Sequence, residues 1–437
     1  MKKFSLVLLD IAILYIALWL TLFVRYQYDW AVNLNLHLAP FTILFIVWLL
    51  VFYIANFYEI HRLKNGPDFY ANFSRVLIIN AAIGLIFFYL VPFFDIAPRR
   101  NFFIFLAFFA GIDFLARSIF NNIIAASKFS RPTLIVGLNE QSNELAELLL
   151  QNPQLGYQLE SAVDIPLPAG QLKKLVEEKK ISAIIISPEA YQTRRMIEQF
   201  YQLIPKKINF YHLSNFYEQI SQKVILSTVD QAWFLENLSE GKKNFYEIIK
   251  RFLDVTFSII FGIPALTLTP FVALLIKLNS SGPVFYRQKR VGQHEKEFVT
   301  IKFRTMQNNA EQQSGPVWER DHNLKITQIG KILRNTHIDE IPQLWSIFKG
   351  EMSFIGPRAE RPEFHEKLKQ EVPFYEERYL IRPGLSGWAQ IQNPTASAKD
   401  AAEKLQYDLF YIKHRSLILD LSIILKTINI VVRQSGK

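Results

Sequence analysis

The chain has 437 residues, of which 50% are hydrophobic and 14% aromatic, and its mean hydropathy is +0.11. This composition excludes a disordered, collagen-like or coiled-coil protein. The absence of cysteine excludes a disulfide scaffold, cysteine-ligated metal clusters and a cysteine nucleophile. Lysine and arginine number 49 against 39 aspartates and glutamates, a net charge of +10. A basic, apolar chain favours an anionic membrane face or a phosphorylated substrate over nucleic acid.

Four apolar segments lie in the N-terminal region, at 4–24, 40–54, 76–94 and 102–119. Each is close to the ~20 residues that cross a bilayer, so we predict four transmembrane helices within residues 1–125. The alternative is a set of buried helices in a large soluble core. No small-residue cleavage site follows the first segment, which disfavours a signal peptide. Asp113 and Arg117 lie four residues apart, and we expect them to pair on one helix face.

The loops between these segments differ in positive charge, and the more basic side of a membrane protein faces the cytoplasm. The basic residues of the richer side are Lys2, Lys3, Arg62, Lys64, Arg75, Lys128 and Arg131, and those of the other side are Arg25, Arg99 and Arg100. We therefore expect the N-terminus, and everything after about residue 128, to face the cytoplasm.

Residues 131–239 alternate short strands with amphipathic helices, which favours a small, parallel, Rossmann-like α/β domain. Strands are predicted at 133–136, 183–186 and 208–211, and helices at 141–150, 171–180 and 193–203. The turn at Gly137 occupies the place of a dinucleotide-binding loop, but it has one glycine where that loop needs three. A structural or regulatory role is the favoured interpretation, and nucleotide binding is the alternative.

Residues 240–437 contain a fifth apolar segment, 252–276, that differs from the others. Pro264 and Pro270 interrupt it, and basic residues flank both of its ends. Thr269 can hydrogen-bond a carbonyl group that the second proline leaves free. These features favour a re-entrant helix that breaks near Thr269 and Pro270 and returns to the cytoplasmic side. The alternative is a proline-kinked fifth span, which would place the C-terminal third outside the cell.

Cations are dense at 286–292 and 302–306, and the first run has the character of a membrane-surface or phosphate patch. Solvated charge is the usual explanation for such runs. On a strand, however, Lys302 and Arg304 would share one face, and two aligned cations can clamp a diphosphate.

Asp339 and Glu340 form the most informative pair. Pro342 is tolerated only in the first turn of a helix, so we predict a helix that starts at 339 or 340 and ends at Gly350. A helix start attracts anions, although acidic residues there are commonly only good helix initiators. Arg334 and Arg358 on either side favour a site for Mg²⁺ and a diphosphate, in which one carboxylate is a nucleophile at phosphorus.

The region from about residue 250 to 433 resembles the bacterial polyprenyl-phosphate sugar-1-phosphate transferases, the large monotopic phosphoglycosyl transferases of exopolysaccharide biosynthesis. The matching motifs are Lys250-Arg251-x-x-Asp254, Thr269-Pro270, Gly282-Pro283-Val284-Phe285, Lys302-Phe303-Arg304-Thr305-Met306, Asp339-Glu340-Ile341-Pro342-Gln343-Leu344, Lys349-Gly350-Glu351-Met352-Ser353, Gly356-Pro357-Arg358, the segment 382–390 and Asp408-x-x-Tyr411. Two departures bear on sugar preference. Ala359 replaces a proline, and Gln293-His294-Glu295 replaces a turn that contains glycine.

The resemblance implies a fold of four transmembrane helices, an α/β domain and a mostly helical catalytic domain, 240–437, that includes the re-entrant helix. It implies that the protein lies in the cytoplasmic membrane and transfers sugar-1-phosphate from a UDP-sugar to undecaprenyl phosphate. UMP would be released, and the product would begin a capsule, exopolysaccharide or O-antigen. The lipid bilayer and a second copy in a homodimer are expected partners, and nucleic acid is not.

The same resemblance assigns roles to residues. Asp339 would attack the β-phosphorus, giving a phosphosugar-aspartate and ping-pong kinetics. Glu340, with Asp339, would hold Mg²⁺. The expected phosphate ligands are Arg334, Lys302, Arg304, Arg358 and Arg382, and Asp408 would be a supporting carboxylate.

Three other functions are less favoured. A membrane-anchored dehydrogenase or epimerase would use the α/β domain, whose glycine loop is incomplete. A non-catalytic scaffold would have no need of Asp339. A transporter would need more polar residues inside its spans. Glucose, galactose and modified amino sugars all remain open as the sugar.

Overall fold

The computed structural model describes residues 2–60, 63–90, 99–126, 130–238, 243–308, 326–393 and 400–434. The chain forms two compact units, Met1–Phe216 and Tyr217–Lys437.

Four long helices open the first unit: α1 Lys2–Tyr26, α2 Trp30–Ile54, α3 Pro67–Leu90 and α4 Arg99–Ala125. They cover the described part of all four predicted spans, and residues 91–94 of the third span lie outside the described residues. The described helices that are long and apolar enough to cross a membrane are Lys3–Ile54, Pro67–Leu90, Asn101–Ile124 and, in the second unit, Asn244–Asn279. Fully buried aromatic rings, such as Trp48, Phe41 and Phe105, fill the bundle.

One ionic cluster lies inside this bundle. Arg117 Nε donates to Asp113 Oδ2 at 3.0 Å, which confirms the predicted pair. Arg117 Nη2 also donates to Asp10 Oδ2 at 2.5 Å, and the Tyr58 hydroxyl donates to the same oxygen at 2.7 Å. The charged side chains are at most 2% exposed. We call Asp10, Tyr58, Asp113 and Arg117 the Arg117 cluster. Because its charges face one another, none of them has to face lipid.

The rest of the first unit is a four-stranded parallel sheet in the order β2-β1-β3-β4. Its strands are β1 Arg131–Val136, β2 Tyr157–Val163, β3 Ala183–Ile186 and β4 Asn209–His212, and its helices are α5 Glu140–Gln151, α6 Gln171–Glu178, α7 Pro188–Tyr191 and α8 Arg194–Leu203. The sheet is parallel and alternates with helices, as predicted, whereas β2 was missed. The closer likeness to a Rossmann domain stays a prediction.

Gly137 has a structural reason to be glycine. Its φ is +92°, and a Cβ there would lie 1.9 Å from Ser187 Oγ. The single glycine of this turn is therefore required by packing.

The second unit is mostly helical. Its elements are α9 Leu213–Ser221, which includes the division between the units, α10 Gln231–Asn237, α11 Asn244–Asn279, β5 Phe285–Val291, β6 Glu297–Phe303, α12 Gln328–Asn335, α13 Leu344–Lys349, β7 Ser353–Ile355, α14 Pro362–Glu371, β8 Gly384–Ser386, α15 Trp388–Gln392, α16 Ala401–His414 and α17 Leu417–Gln434. Strands β5 and β6 form an antiparallel hairpin, and β7 pairs in parallel with β8.

Residues 224–238 contribute to the core of this second unit. Val224 and Val229 pack in the cluster that contains Leu405 and Leu409, and the Trp388 indole donates to the Gln222 carbonyl at 3.0 Å. The sequence places these residues in the α/β domain, and the three predicted domain boundaries stay predictions.

Helix α11 is continuous through Pro264 and Pro270, so the break predicted near Thr269 and Pro270 does not interrupt the helix. Thr269 Oγ1 donates to the Ala265 carbonyl at 2.8 Å. A threonine hydroxyl in a helix reaches the carbonyl group four residues before it. Thr269 therefore binds the carbonyl one residue before the carbonyl that loses its donor at Pro270. No residue of 259–271 is buried, whereas Asp254, Ser258, Val272 and Ile276 are. The re-entrant path of this helix stays a prediction.

Candidate active site

Asp339 and Glu340 lie in a 3-10 turn, Ile338–Gln343, that runs directly into α13. Pro342 fits this position because the first turns of a helix need no intrahelical donor. Gly350 ends α13 with a φ of +89°. The predicted helix therefore exists and ends where expected, although its opening part is 3-10 rather than α.

Glu340 is the centre of an ionic cluster. Lys302 Nζ donates to Glu340 Oε1 at 2.6 Å, and Arg358 Nη2 lies 3.5 Å from the same oxygen. The side chains of Lys302, Glu340 and Arg358 are 14%, 13% and 33% exposed. We call these three residues the Glu340 cluster. Strand β6 carries Lys302, and backbone pairing with Gly384 fixes Arg358.

The Glu340 cluster lines an open pocket, whose empty space of about 290 Å³ includes solvent at its mouth. The other lining residues are Arg290, Thr300, Gln343, Met352, Ala359, Gly384 and Leu385. Three cations and one carboxylate thus line the pocket, which suits an anionic ligand such as a diphosphate. Among the described residues, Asp339 is not part of the lining, and it is 7% exposed.

Three of the predicted phosphate ligands, Arg334, Arg304 and Arg382, lie outside this lining. Arg334 Nε donates to Thr305 Oγ1 at 2.9 Å. Arg382 lies close enough to Arg251 for their charges to repel.

Arg304 lies just past the end of β6, and its Nη2 donates to the Ser280 carbonyl at 2.8 Å. Burial lowers the pKa of Arg304. Its guanidinium is held at Ser280 while the Lys302 ammonium is held at Glu340, so the two do not form the aligned pair that the sequence favoured.

Asp408 is buried behind the site. Arg378 Nη2 lies 2.8 Å from Asp408 Oδ2, and Arg378 Nη1 lies 3.6 Å from Glu360 Oε1. Burial raises the pKa of Asp408 to about 6. Glu360 follows Arg358 by two residues, so this ionic group supports the loop that carries Arg358. No motif in the sequence singled out Arg378.

Among the described residues, few carboxylate side chains are placed to bind the predicted Mg²⁺ ion. In the part of the chain that the structure describes, no group of three or more His, Asp or Glu side chains is placed to hold a metal. Asp339 and Glu340 would therefore supply at most two carboxylates. Mg²⁺ is often bound by one or two carboxylates together with substrate phosphates, so the donor set fits an ion shared with a diphosphate.

The catalytic region matches known proteins. Residues 245–434 match the family model described as bacterial sugar transferase. The exopolysaccharide production protein PSS of Rhizobium leguminosarum bv. phaseoli is 36% identical over 190 residues, which cover 41% of this chain and 94% of that protein. The chain belongs to the bacterial sugar transferase family. It is therefore a transferase, which confirms the predicted class of enzyme.

Two further relatives have names that state their substrates. The UDP-N-acetylgalactosamine-undecaprenyl-phosphate N-acetylgalactosaminephosphotransferase of Aeromonas hydrophila is 42% identical over 193 residues, covering 44% of this chain and 45% of that protein. The UDP-glucose:undecaprenyl-phosphate glucose-1-phosphate transferase of Klebsiella pneumoniae is 26% identical over 457 residues, covering 98% of this chain and 94% of that protein. The first similarity spans less than half of the relative, and the second spans nearly all of both chains.

Four polar or charged residues at this candidate site were not named as site residues from the sequence: Arg290, Thr300 and Gln343 in the pocket, and Arg378 behind it. Arg290 belongs to the basic run 286–292, which predicted a membrane-surface or phosphate patch without naming Arg290 as a site residue. Its Nη1 donates to the Ala359 carbonyl at 2.9 Å, which holds the guanidinium at the pocket. The period of two along β5 could have identified Arg290 as a site residue. Tyr286, Gln288 and Arg290 lie on one face of the strand, and the residues between them are more exposed.

Proposed function

We propose that this protein transfers a sugar-1-phosphate from a UDP-sugar to polyprenyl phosphate and releases UMP. The observation that carries the proposal is the Glu340 cluster, a carboxylate held by two cations at the edge of an open pocket. The relatives from Aeromonas and Klebsiella are named for reactions of this type, with different sugars. The sugar is therefore not assigned.

The chemistry proceeds in two displacements at one phosphorus atom. An Asp339 carboxylate oxygen bonds to the β-phosphorus while the bond to the bridging oxygen breaks, and UMP leaves with that oxygen. A phosphate oxygen of the polyprenyl phosphate then bonds to the same phosphorus, and the bond to Asp339 breaks. Phosphoryl transfer depends mainly on positioning and charge neutralisation, which Lys302 and Arg358 supply.

The Glu340 cluster has to exchange partners in this scheme. Lys302 and Arg358 move from Glu340 to the phosphate oxygens of the substrate, and Glu340 becomes available to Mg²⁺. Asp339 and Glu340 would hold that ion, which would neutralise charge on the diphosphate. Glu340→Gln is expected to raise the Mg²⁺ concentration for half-maximal rate by about 10-fold or more.

In this proposal, helix α11 holds the reaction at the membrane surface. Arg251, near its start, and Val272 and Ile276, near its end, all pack on the second unit, while residues 259–271 between them contain no buried residue. An apolar middle with both ends on one unit supports a helix that enters and leaves the bilayer on the same side. The acceptor phosphate lies at that level, in the cytoplasmic leaflet of the inner membrane.

Cysteine labelling tests this topology, since the protein has no native cysteine. Tyr28, which is 96% exposed, lies on the predicted outer side, and Lys296 is exposed in the β5–β6 turn. In intact cells an impermeant thiol reagent should label Tyr28→Cys and leave Lys296→Cys unmodified. Labelling of both would indicate a fifth span.

The reaction is tested by UMP release from a panel of UDP-sugars, with undecaprenyl phosphate, Mg²⁺ and the full chain in nanodiscs. We expect release with at least one UDP-sugar and parallel lines in double-reciprocal plots, the pattern of a two-step exchange. Intersecting lines would favour direct transfer in a ternary complex. Folded protein that releases no UMP from any donor would contradict the proposal.

A further inference from the structure

The first turns of α11 are joined to three other parts of the second unit. Lys250 Nζ donates to Asp420 Oδ2 on α17 at 2.8 Å. Asp254 Oδ1 accepts from the Phe354 backbone N–H on β7 at 3.1 Å. Arg251, between them, binds the end of α13. The sequence motif Lys250-Arg251-x-x-Asp254 is thus a set of anchors, and the reaction described above uses none of them directly.

Arg251 makes the contact that leads to the catalytic turn. Its Nη1 donates to the Ile347 carbonyl at 2.7 Å, and its Nη2 donates to the Phe348 carbonyl at 2.6 Å. Carbonyls in the last turn of a helix have no i+4 donor within the helix, and a cation there is favoured by the helix dipole. The Ile347 carbonyl also accepts from the Gly350 backbone N–H at 3.0 Å, so it has two donors. A Cβ on Gly350 would lie 3.3 Å from Arg251 Cζ, so the guanidinium packs closely over the glycine that ends α13.

The other end of the same helical segment carries the catalytic carboxylates. Residues 338–349 run without interruption from the 3-10 turn with Asp339 and Glu340 into α13. Gln343, Ser346 and Ile347 are buried along it, so the segment is packed as one body. A shift at its C-terminal end is therefore passed to Asp339.

We propose that Arg251 is a positioning residue, which holds the carboxylate turn in register with α11 by capping α13. The placement of Asp339 then depends on how α11 sits in the bilayer. The catalytic consequence rests on the function proposed above, whereas the positioning itself does not. A misplacement of ~1 Å at a reacting group can cost on the order of 100-fold in rate.

Hydrogen exchange on the full chain, without substrate, tests the positioning alone. In Arg251→Ala, amides of 338–349 should exchange about 10-fold faster or more, because the end of the segment opens locally. Arg251→Lys keeps the charge and should lie between Arg251→Ala and wild type. The matched control is Lys277→Ala, which removes an exposed cation from the last turn of α11 and should leave 338–349 unchanged. Unchanged protection of this segment in Arg251→Ala would overturn the proposal.

Steady-state kinetics then separate positioning from a loss of stability. For the UDP-sugar that wild type turns over best, kcat per folded molecule of Arg251→Ala should fall about 10- to 100-fold with little change in KM. Added guanidinium ion should restore part of kcat, and Arg251→Lys should retain more activity than Arg251→Ala. A kcat per folded molecule within twofold of wild type would contradict the proposal. If wild type has no transferase activity, the proposed function fails while the exchange result still decides this inference.

Discussion

Two of the carboxylate–guanidinium clusters among the described residues, the Arg117 cluster and the Glu340 cluster, have similar components and opposite surroundings. In the Arg117 cluster, every charged side chain is at most 2% exposed, and the guanidinium lies 4.6 Å from the centre of the Phe57 ring. In the Glu340 cluster, exposure reaches 33% at Arg358, and the cluster lines an open pocket. The comparison indicates that access to solvent decides what such a cluster can do. A closed cluster can only hold helices together, while an open one can exchange a carboxylate for a phosphate.

The largest effect is expected at Asp339. Asp339→Asn keeps the shape of the side chain and removes the nucleophilic charge, so turnover should fall by about 10,000-fold or more. Initial rates of UMP release measure this. Glu363→Gln, a change at a 55% exposed carboxylate of the same unit, is the control and should keep wild-type rates. A modest loss in Asp339→Asn would reduce its role to that of a metal ligand.

Arg117→Met breaks the closed cluster. It leaves buried carboxylates without a cation, which typically costs about 3–5 kcal/mol of stability. Thermal melting of the protein in detergent measures this loss of stability. Turnover per folded molecule should stay near wild type. A specific loss of turnover in well-folded Arg117→Met would show that the closed cluster is more than structural.

Lys302→Met breaks the open cluster. Glu340 keeps Arg358 and access to water, so stability should change little. The substrate loses a charge-assisted contact, and we expect kcat/KM for the UDP-sugar to fall about 100-fold. The paired measurements are initial rates and thermal melting. If Lys302→Met instead lowered the melting temperature as far as Arg117→Met does and left kcat/KM unchanged, that result would contradict the different roles given to the two clusters.

The smallest effect is expected when the first unit is removed. A chain that starts at Tyr217 keeps Val224 and Val229 in the core around Leu405, so it should retain UMP release within about 10-fold of the full chain. A chain that starts at Asn244 loses that packing and should be much less stable. Loss of turnover in a folded chain that starts at Tyr217 would give the α/β domain a part in the reaction.

Local patterns predicted the long apolar helices and much of the α/β domain. The apolar run at 183–186 is strand β3 at the predicted residues, and the helix start at Asp339 was predicted from Pro342. Strand β2 was missed because it is an edge strand, where Gln158 and Glu160 weaken the apolar signal. A regular repeat of apolar residues appears in the sequence where one face of a strand or helix is buried along its length. An edge strand is only partly buried, so its repeat is weaker.

Long-range pairs account for most of what the sequence did not predict. Asp10 and Arg117 are 107 residues apart, and Lys302 and Glu340 are 38 apart. Asp113 and Arg117 were predicted to pair because one helix face brings them together. Motif resemblance named Lys302, Glu340 and Asp408 as site residues, yet it did not say that Arg378 neutralises Asp408 behind the pocket. Such contacts depend on how elements pack, which spacing along the chain does not encode.

The central claim is that Asp339 carries the sugar phosphate between the two displacements. Intact-protein mass spectrometry, after mixing with UDP-sugar and Mg²⁺ but no lipid acceptor, tests it most directly. We predict a mass increase equal to one sugar phosphate that maps by peptide analysis to Asp339, disappears on addition of undecaprenyl phosphate and is absent in Asp339→Asn. Turnover without any adduct, or an adduct on Glu340, would contradict the account.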